Sequence, residues 1–257
     1  MSSDSHKTGA ALVTGAGKRV GKALALALAD AGYDIAAHYR SSKAEVEDTL
    51  AQVKAKGRNG VALQADLSRE TETAALIPAA TQALGPLTLL VNSASVFEHD
   101  DVASMTRQSW DMHMETNLRA PLKLAQDFAA QAESGRNNLI VNIIDQRVLK
   151  LTPQFLSYTL SKAALFTLTK TLAQALGPQG IRVNGVGPGP VLRNPRQSED
   201  DWRRQNEATI LGRGATPQDI ADALLYLAGA HSVTGQMLAV DGGQHLVWQT
   251  PDVMVKE

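Results

Sequence analysis

Tyr158 and Lys162, in Tyr158-Thr159-Leu160-Ser161-Lys162, stand four residues apart on a segment of helical periodicity and so share one face. An ammonium beside a phenol is a proton-transfer device: it lowers the phenol pKa from about 10 and helps the hydroxyl act as a general acid. The spacing alone is a weak signal, because Tyr and Lys so placed are common on exposed helices. Just upstream, the apolar run through Ile143-Ile144 ends in Asp145, which is either a third member of this centre or a turn-forming aspartate. His38, His99, His113 and His231 show no paired spacing suited to a metal, and no metal is expected.

A second constellation lies near the start. Thr14-Gly15-Ala16-Gly17-Lys18-Arg19-Val20-Gly21 follows an apolar run and opens a long Ala/Leu segment. Between a strand and a helix, such glycines let backbone N–H groups and the helix dipole approach a pyrophosphate. Asp34 lies at the distance where a carboxylate would hold a ribose 2′-hydroxyl, but it begins the run Ile35-Ala36-Ala37 and so sits at the wrong end of its strand. The other end reads His38-Tyr39-Arg40-Ser41-Ser42. Its guanidinium and hydroxyls, with Lys18 across the turn, suit a 2′-phosphate through charge-assisted hydrogen bonds. NADP is therefore expected over NAD; the plain alternative is that Arg40 and Lys18 are solvated charges. Asp66-Leu67 would reach the adenine amino group, and Asn92-Ser93-Ala94-Ser95 would let the adenosine ribose pass, although both stretches also fit ordinary turn chemistry.

The elements that must position these residues alternate in kind. Short apolar runs near 10–13, 34–39, 60–64, 89–92, 138–144, 182–186 and 236–240 read as strands. Helical stretches near 20–31, 42–56, 70–84, 109–133, 156–176 and 217–227 lie between them. The expectation is an α/β fold: a single doubly wound Rossmann-type domain over 1–257, with a seven-stranded parallel sheet and helices on both faces. Ser42 with Glu45 suggests a capping box, and Thr216-Pro217 a cap followed by a first-turn proline. The segment 187–205, with three prolines and a charge cluster, reads as a loop or lid, and 1–8 as a disordered tail.

Composition narrows the class. The 257 residues are 44% hydrophobic and 4% aromatic, which suits a core of Ala, Leu and Val under tightly packed helices. With no cysteine, disulfides, thiolate metal sites and cysteine nucleophiles are excluded. A net charge of −1 from 25 basic and 26 acidic residues gives no bias toward nucleic acid. The polar start offers no secretory signal and no window reaches membrane-spanning length, so a cytoplasmic protein without membrane partners is expected.

Taken in order, these residues resemble the short-chain dehydrogenase/reductase family from Thr14 to Gly243. The glycine turn, Asp66, Asn92 to Ser95, Asn117, Tyr158 with Lys162, Arg182-Val183-Asn184, Pro188-Gly189 and Asp241-Gly242-Gly243 carry the likeness. The resemblance implies that Asn117 holds a water relay behind Lys162 and that Lys162 also binds the nicotinamide ribose. It places Gly15, Val20, Ala94, Pro188, Gly189 and Val191 along the cofactor. Two departures stand out: Arg19 replaces the middle glycine, and Asp145 replaces a serine. Both match the pteridine-reductase and dihydromonapterin-reductase branch, which the chain resembles further in Lys18-Arg19, in 38–42 and in Ser95-Val96-Phe97. That branch implies a pterin ring sandwiched between Phe97 and the nicotinamide, with Arg19 and Ser95 touching pterin and cofactor phosphate. Phe97 also has a reading as a core aromatic, and Arg19 as a ligand of the pyrophosphate alone.

The chemistry of Asp145 points the same way. A serine donates to the oxygen that becomes an alkoxide, whereas an ionised aspartate repels that growing charge. Reduction of a ring C=N bond instead needs a proton on nitrogen, which an Asp–Tyr pair orients. The expected reaction is NADPH-dependent reduction of a dihydropterin. The alternatives are a carbonyl or 3-oxoacyl-thioester reductase in which a protonated Asp145 donates, and a non-catalytic NADP-binding sensor. Broad apolar stripes on 109–133 and 156–176, together with the family habit, imply a homo-oligomer, a tetramer.

Overall fold

A computed structural model describes residues 8–250 and Met254, so the proposed 1–8 tail lies outside the described residues except for Thr8. Seven strands form one sheet: β1 (Gly9–Val13), β2 (Tyr33–Tyr39), β3 (Gly60–Gln64), β4 (Leu89–Asn92), β5 (Asn138–Ile143), β6 (Ile181–Pro188) and β7 (Met237–Val240). Their order is β3-β2-β1-β4-β5-β6-β7 and every pairing is parallel. The order reverses between β1 and β4, and a crevice opens there beyond the carboxyl ends of the strands.

Buried β1 shows why the strands are nearly all apolar. Ala11 and Val13 face one layer with Leu24, Leu28, Ile220 and Leu224, while Ala10 and Leu12 face the other with Leu76, Leu90, Leu124 and Phe128. A parallel sheet covered on both faces leaves no polar side to alternate with. The first layer is supplied by α1 (Arg19–Asp30), α2 (Lys43–Ala55) and α8 (Pro217–Gly229). The second comes from α3 (Glu70–Leu84), α5 (Ala120–Gln131) and α6 (Leu156–Leu176). No described helix is long and apolar enough to cross a membrane.

Three local expectations change and one holds. The single helix over 109–133 is α4 (Arg107–Met114), a π-helical stretch Glu115–Arg119, and α5. Thr106 starts α4 with a capping box to Ser109, and the π-helical stretch carries Asn117, buried against Val96 and Ser161 beside the site. The 187–205 region is not all loop: β6 runs on to Pro188, and α7 (Glu199–Glu207) begins at Ser198, whose hydroxyl accepts from the Asp201 amide, with three acids in its first turn. The Ser42/Glu45 capping box is absent because Glu45 turns to Lys18 Nζ at 2.6 Å. The Thr216 cap forms, boxed with Asp219 and followed by Pro217.

Candidate active site

At the cofactor end, Gly15 has φ +70° and Gly21 lies so close to the turn that a Cβ on it would meet the Gly15 carbonyl oxygen at 2.2 Å. Glycine at both positions therefore seats α1 tightly on the turn. Arg19 holds a left-handed backbone, φ 51°, that a glycine in its place would adopt freely. Thr14 Oγ1 accepts from the Ser93 and Ala94 amides at 2.9 Å each and joins the turn to the end of β4.

His38 is buried and acts as a brace rather than a phosphate ligand. Its Nδ1 accepts from the Gly15 amide at 3.1 Å, and its Nε2 donates to the Ala65 carbonyl at 3.0 Å. Burial lowers its pKa, so one neutral tautomer satisfies both bonds. Tyr39 is likewise buried in the core, and Asn92 donates its amide to Asn142 at 2.8 Å beneath the crevice. Asp34 accepts from the Asn59 amide at 2.8 Å at the far end of β2, away from the crevice.

The remaining expected residues come together. A cavity of about 500 Å³ is lined by Gly15, Lys18, Arg19, Val20, Arg40, Ser41, Asp66, Leu67, Ala94 and Ser95, with the edge of His38. Hydrogen bonds from the Ser68 amide and hydroxyl, aided by the Arg40 and Arg69 charges, hold the Asp66 carboxyl below its ordinary pKa. Asp66 thus presents an ionised acceptor.

The reacting end adjoins it. Tyr158 donates to Asp145 Oδ2 at 2.7 Å, and the Arg147 amide donates to Asp145 Oδ1 at 2.8 Å. Both carboxyl oxygens accept a hydrogen bond. The phenol pKa is not lowered, as the Tyr/Lys spacing suggests, but raised well above its ordinary value. Burial is the larger cause, followed by the Asp145 charge and hydrogen bond; Arg147 and Ser95 offset them only in part. Lys162 Nζ donates to the Ile143 carbonyl at 2.8 Å and lies 5.7 Å from the centre of the Tyr158 ring. Burial pulls its pKa from 10.5 down to about 8, against the opposing charge of Asp145. The hydroxyl is therefore kept as a proton donor.

Asn117 accepts from the Val96 amide at 2.8 Å and from the Ser95 hydroxyl at 3.2 Å, and donates to Ser161 Oγ at 3.1 Å. It links the segment after β4 to α6. Behind Tyr158, buried Asp100 takes the Ser157 amide at 3.0 Å and hydroxyls from Ser157 and Ser109. Buried His113 closes this network on Ser157 Oγ at 2.7 Å and fixes the first turn of α6.

A second cavity, about 330 Å³, holds Arg19, Ser95, Phe97, Asp145, Tyr158, Lys162, Pro188, Gly189 and Val191. Phe97 stacks on Phe155 with centroids 4.3 Å apart and planes at 6°, and meets Tyr158 edge-on. Sequence reasoning missed Gln146 and Arg147 in this wall, and Phe155 stacked on Phe97. The unbroken polar run Asp145-Gln146-Arg147 after an apolar strand was the available signal. It also missed two straps on the lid. Arg19 donates to the Leu192 and Arg193 carbonyls at 2.9 and 3.1 Å, and Arg196 pairs with Glu98 and donates to the Phe97 carbonyl. Among the described residues, no group of three His, Asp or Glu is placed to hold a metal.

A family model described as enoyl-(acyl carrier protein) reductase matches residues 15–245. A 3-oxoacyl-[acyl-carrier-protein] reductase, FabG, from Staphylococcus aureus strain Mu50 is 32% identical over 93% of this chain and 99% of its own length. Two solved structures of FolM alternative dihydrofolate reductase 1 with NADP are more alike in sequence. That from Brucella canis is 42% identical with a TM-score of 0.89, covering 96% of this chain and 98% of that one. That from Brucella suis is 44% identical with a TM-score of 0.90, covering 94% and 97%. With a family model spanning the glycine turn, the Tyr158/Lys162 pair and the last strand, the chain belongs to the short-chain dehydrogenase/reductase family of oxidoreductases.

Proposed function

We propose that this oxidoreductase uses NADPH to reduce a ring C=N bond of a dihydropterin. The observation that carries the reading is the 2.7 Å hydrogen bond from Tyr158 to Asp145. It makes Asp145 a hydrogen-bond acceptor from the proton-donating phenol rather than a donor to a growing alkoxide.

The cofactor is NADP. The two solved FolM structures hold it, and the residues here fit it: Gly15 and Gly21 let the turn and the start of α1 pack closely beside the cavity, and Arg40, Ser41 and Lys18 on its lining are proposed to hold the 2′-phosphate. When bound, the nicotinamide supplies the hydride. Tyr158 delivers the proton to the ring nitrogen, Asp145 orients that hydroxyl and accepts ring N–H groups, and Lys162 balances the charge beside them. Phe97, Ser95 and Arg19 are proposed to hold the ring, and Asn117 to support the water relay behind Lys162. A homo-tetramer through α5 and α6 belongs to the same proposal. Leu160, 43% exposed on α6, supports it, and light scattering reads the mass directly.

The Staphylococcus relative favours a second reading, reduction of a 3-oxoacyl thioester. That reaction requires Asp145 to donate, yet both of its oxygens already accept. NADPH oxidation decides between the two. Turnover is expected with dihydrobiopterin, dihydromonapterin or dihydrofolate, and turnover confined to ketones or 3-oxoacyl thioesters would overturn the pterin reading.

A further inference from the structure

Gln146 follows Asp145 directly and lines the reacting cavity, yet no other described residue uses its side chain. It is 7% exposed, its Oε1 is sealed from solvent without a donor, and neither end of its carboxamide bonds any other described residue. Buried polar groups are nearly always satisfied, and an orphaned one calls for a cause. The neighbouring Arg147 is only partly used: one end of its guanidinium donates to the Thr152 hydroxyl. Its Nε is buried without an acceptor, its guanidinium sits 5.2 Å from the Phe155 ring centre, and no carboxylate pairs with it among the described residues.

We propose that the Gln146 carboxamide is a specificity-determining group that reads the amide edge of a planar substrate ring, where a ring N–H adjoins a ring carbonyl. The proposal rests on the pterin reading and deepens it. A carboxamide carries a donor and an acceptor side by side, the complement of such an edge. Its terminal torsion is broad and two-fold, so a half-turn exchanges oxygen for nitrogen at the cavity. Nothing in the wall fixes that choice, so the ligand fixes it. An acyl chain in the same place would leave both ends of the amide buried and unsatisfied, an outcome that disfavours it. Asp145 and Gln146 are adjacent, so one fixed strand end offers both the proton-handling group and the recognition group.

The test is Gln146→Met, which keeps the volume and removes both polar ends. Steady-state kinetics with dihydrobiopterin, NADPH titration by fluorescence, and inhibition by 2-amino-4-oxopteridine and by unsubstituted pteridine are the readouts. The expected result is a dihydrobiopterin KM raised about tenfold, the loss of one or two uncharged hydrogen bonds, with kcat and NADPH affinity nearly unchanged. Inhibition by the 2-amino-4-oxo compound should weaken in step, and inhibition by the bare pteridine should not. An unchanged KM would overturn the role of Gln146 and leave the pterin reading standing. An equal loss of NADPH affinity would assign Gln146 to the cofactor and also overturn it. If the unaltered protein turns over no dihydropterin, the pterin reading falls and takes this one with it.

Discussion

At the scale of single residues, Lys162 sets the pH behaviour. Its ammonium is buried against the Ile143 carbonyl, and burial draws its pKa to about 8. If the cation is needed beside Tyr158 and the nicotinamide ribose, kcat/KM of the free enzyme falls as pH rises through about 8. Lys162→Arg, whose guanidinium stays charged, should be slower but should lose that fall; a pH–rate profile of both proteins checks it. The stability sign follows from the same depression. Between about 8 and 10.5 the folded chain holds fewer protons on this group than the unfolded chain, so stability rises with pH across that window. Below it the penalty of burying the ammonium applies in full. The identities of Tyr158, Lys162 and Asp145 were legible from residue type, spacing and the apolar run before Asp145. The direction of the phenol pKa was not, because spacing reveals the neighbouring ammonium but neither the burial nor the carboxylate at 2.7 Å that outweighs it.

At the scale of elements, the lid joins two walls through arginine. Arg19 ties the cofactor turn to Leu192 and Arg193, and Arg196 ties the strap to Glu98 and Phe97. The Arg196–Glu98 pair is half-exposed, so it contributes at most about 1 kcal/mol of stability. Its value lies in holding Phe97 and the strap in register over the reacting cavity. Arg196→Ala should therefore raise KM for the substrate severalfold while shifting the melting temperature by less than about 4 °C. Paired kinetics and calorimetry read both, and a large fall in melting temperature with an unchanged KM would make the strap purely structural. Neither α7 nor the straps were legible beforehand. A run of Glu, Asp and Arg looks like a solvated loop until Ser198 is recognised as its cap, and contacts spanning 98 or 174 residues leave no local pattern. The seven strands were legible because a parallel sheet covered on both faces needs continuous apolar runs, and glycine and polar residues punctuate them here.

At the scale of the whole molecule, the topology turns cofactor binding into a stability term. The crevice at the β1/β4 reversal is built by the ends of four strands, so a ligand seated there bridges both halves of the sheet. It binds the folded chain and finds no equivalent in the unfolded one. NADPH at a hundred times its Kd should then add about 2.7 kcal/mol. For a domain of this size, that corresponds to an upward shift of about 5–10 °C in a single cooperative transition. NADH, lacking the 2′-phosphate, should give a smaller shift at the same concentration. Arg40 is exposed at the mouth of the crevice and its side chain takes no part in the core, so Arg40→Ala should leave the ligand-free transition in place. In that variant the NADPH shift should fall toward that of NADH, because a charge-assisted contact to phosphate is lost while the rest of the site remains. Scanning calorimetry of both proteins with each cofactor measures it directly. Equal shifts from NADH and NADPH in the unaltered protein would remove Arg40, Ser41 and Lys18 from the 2′-phosphate site.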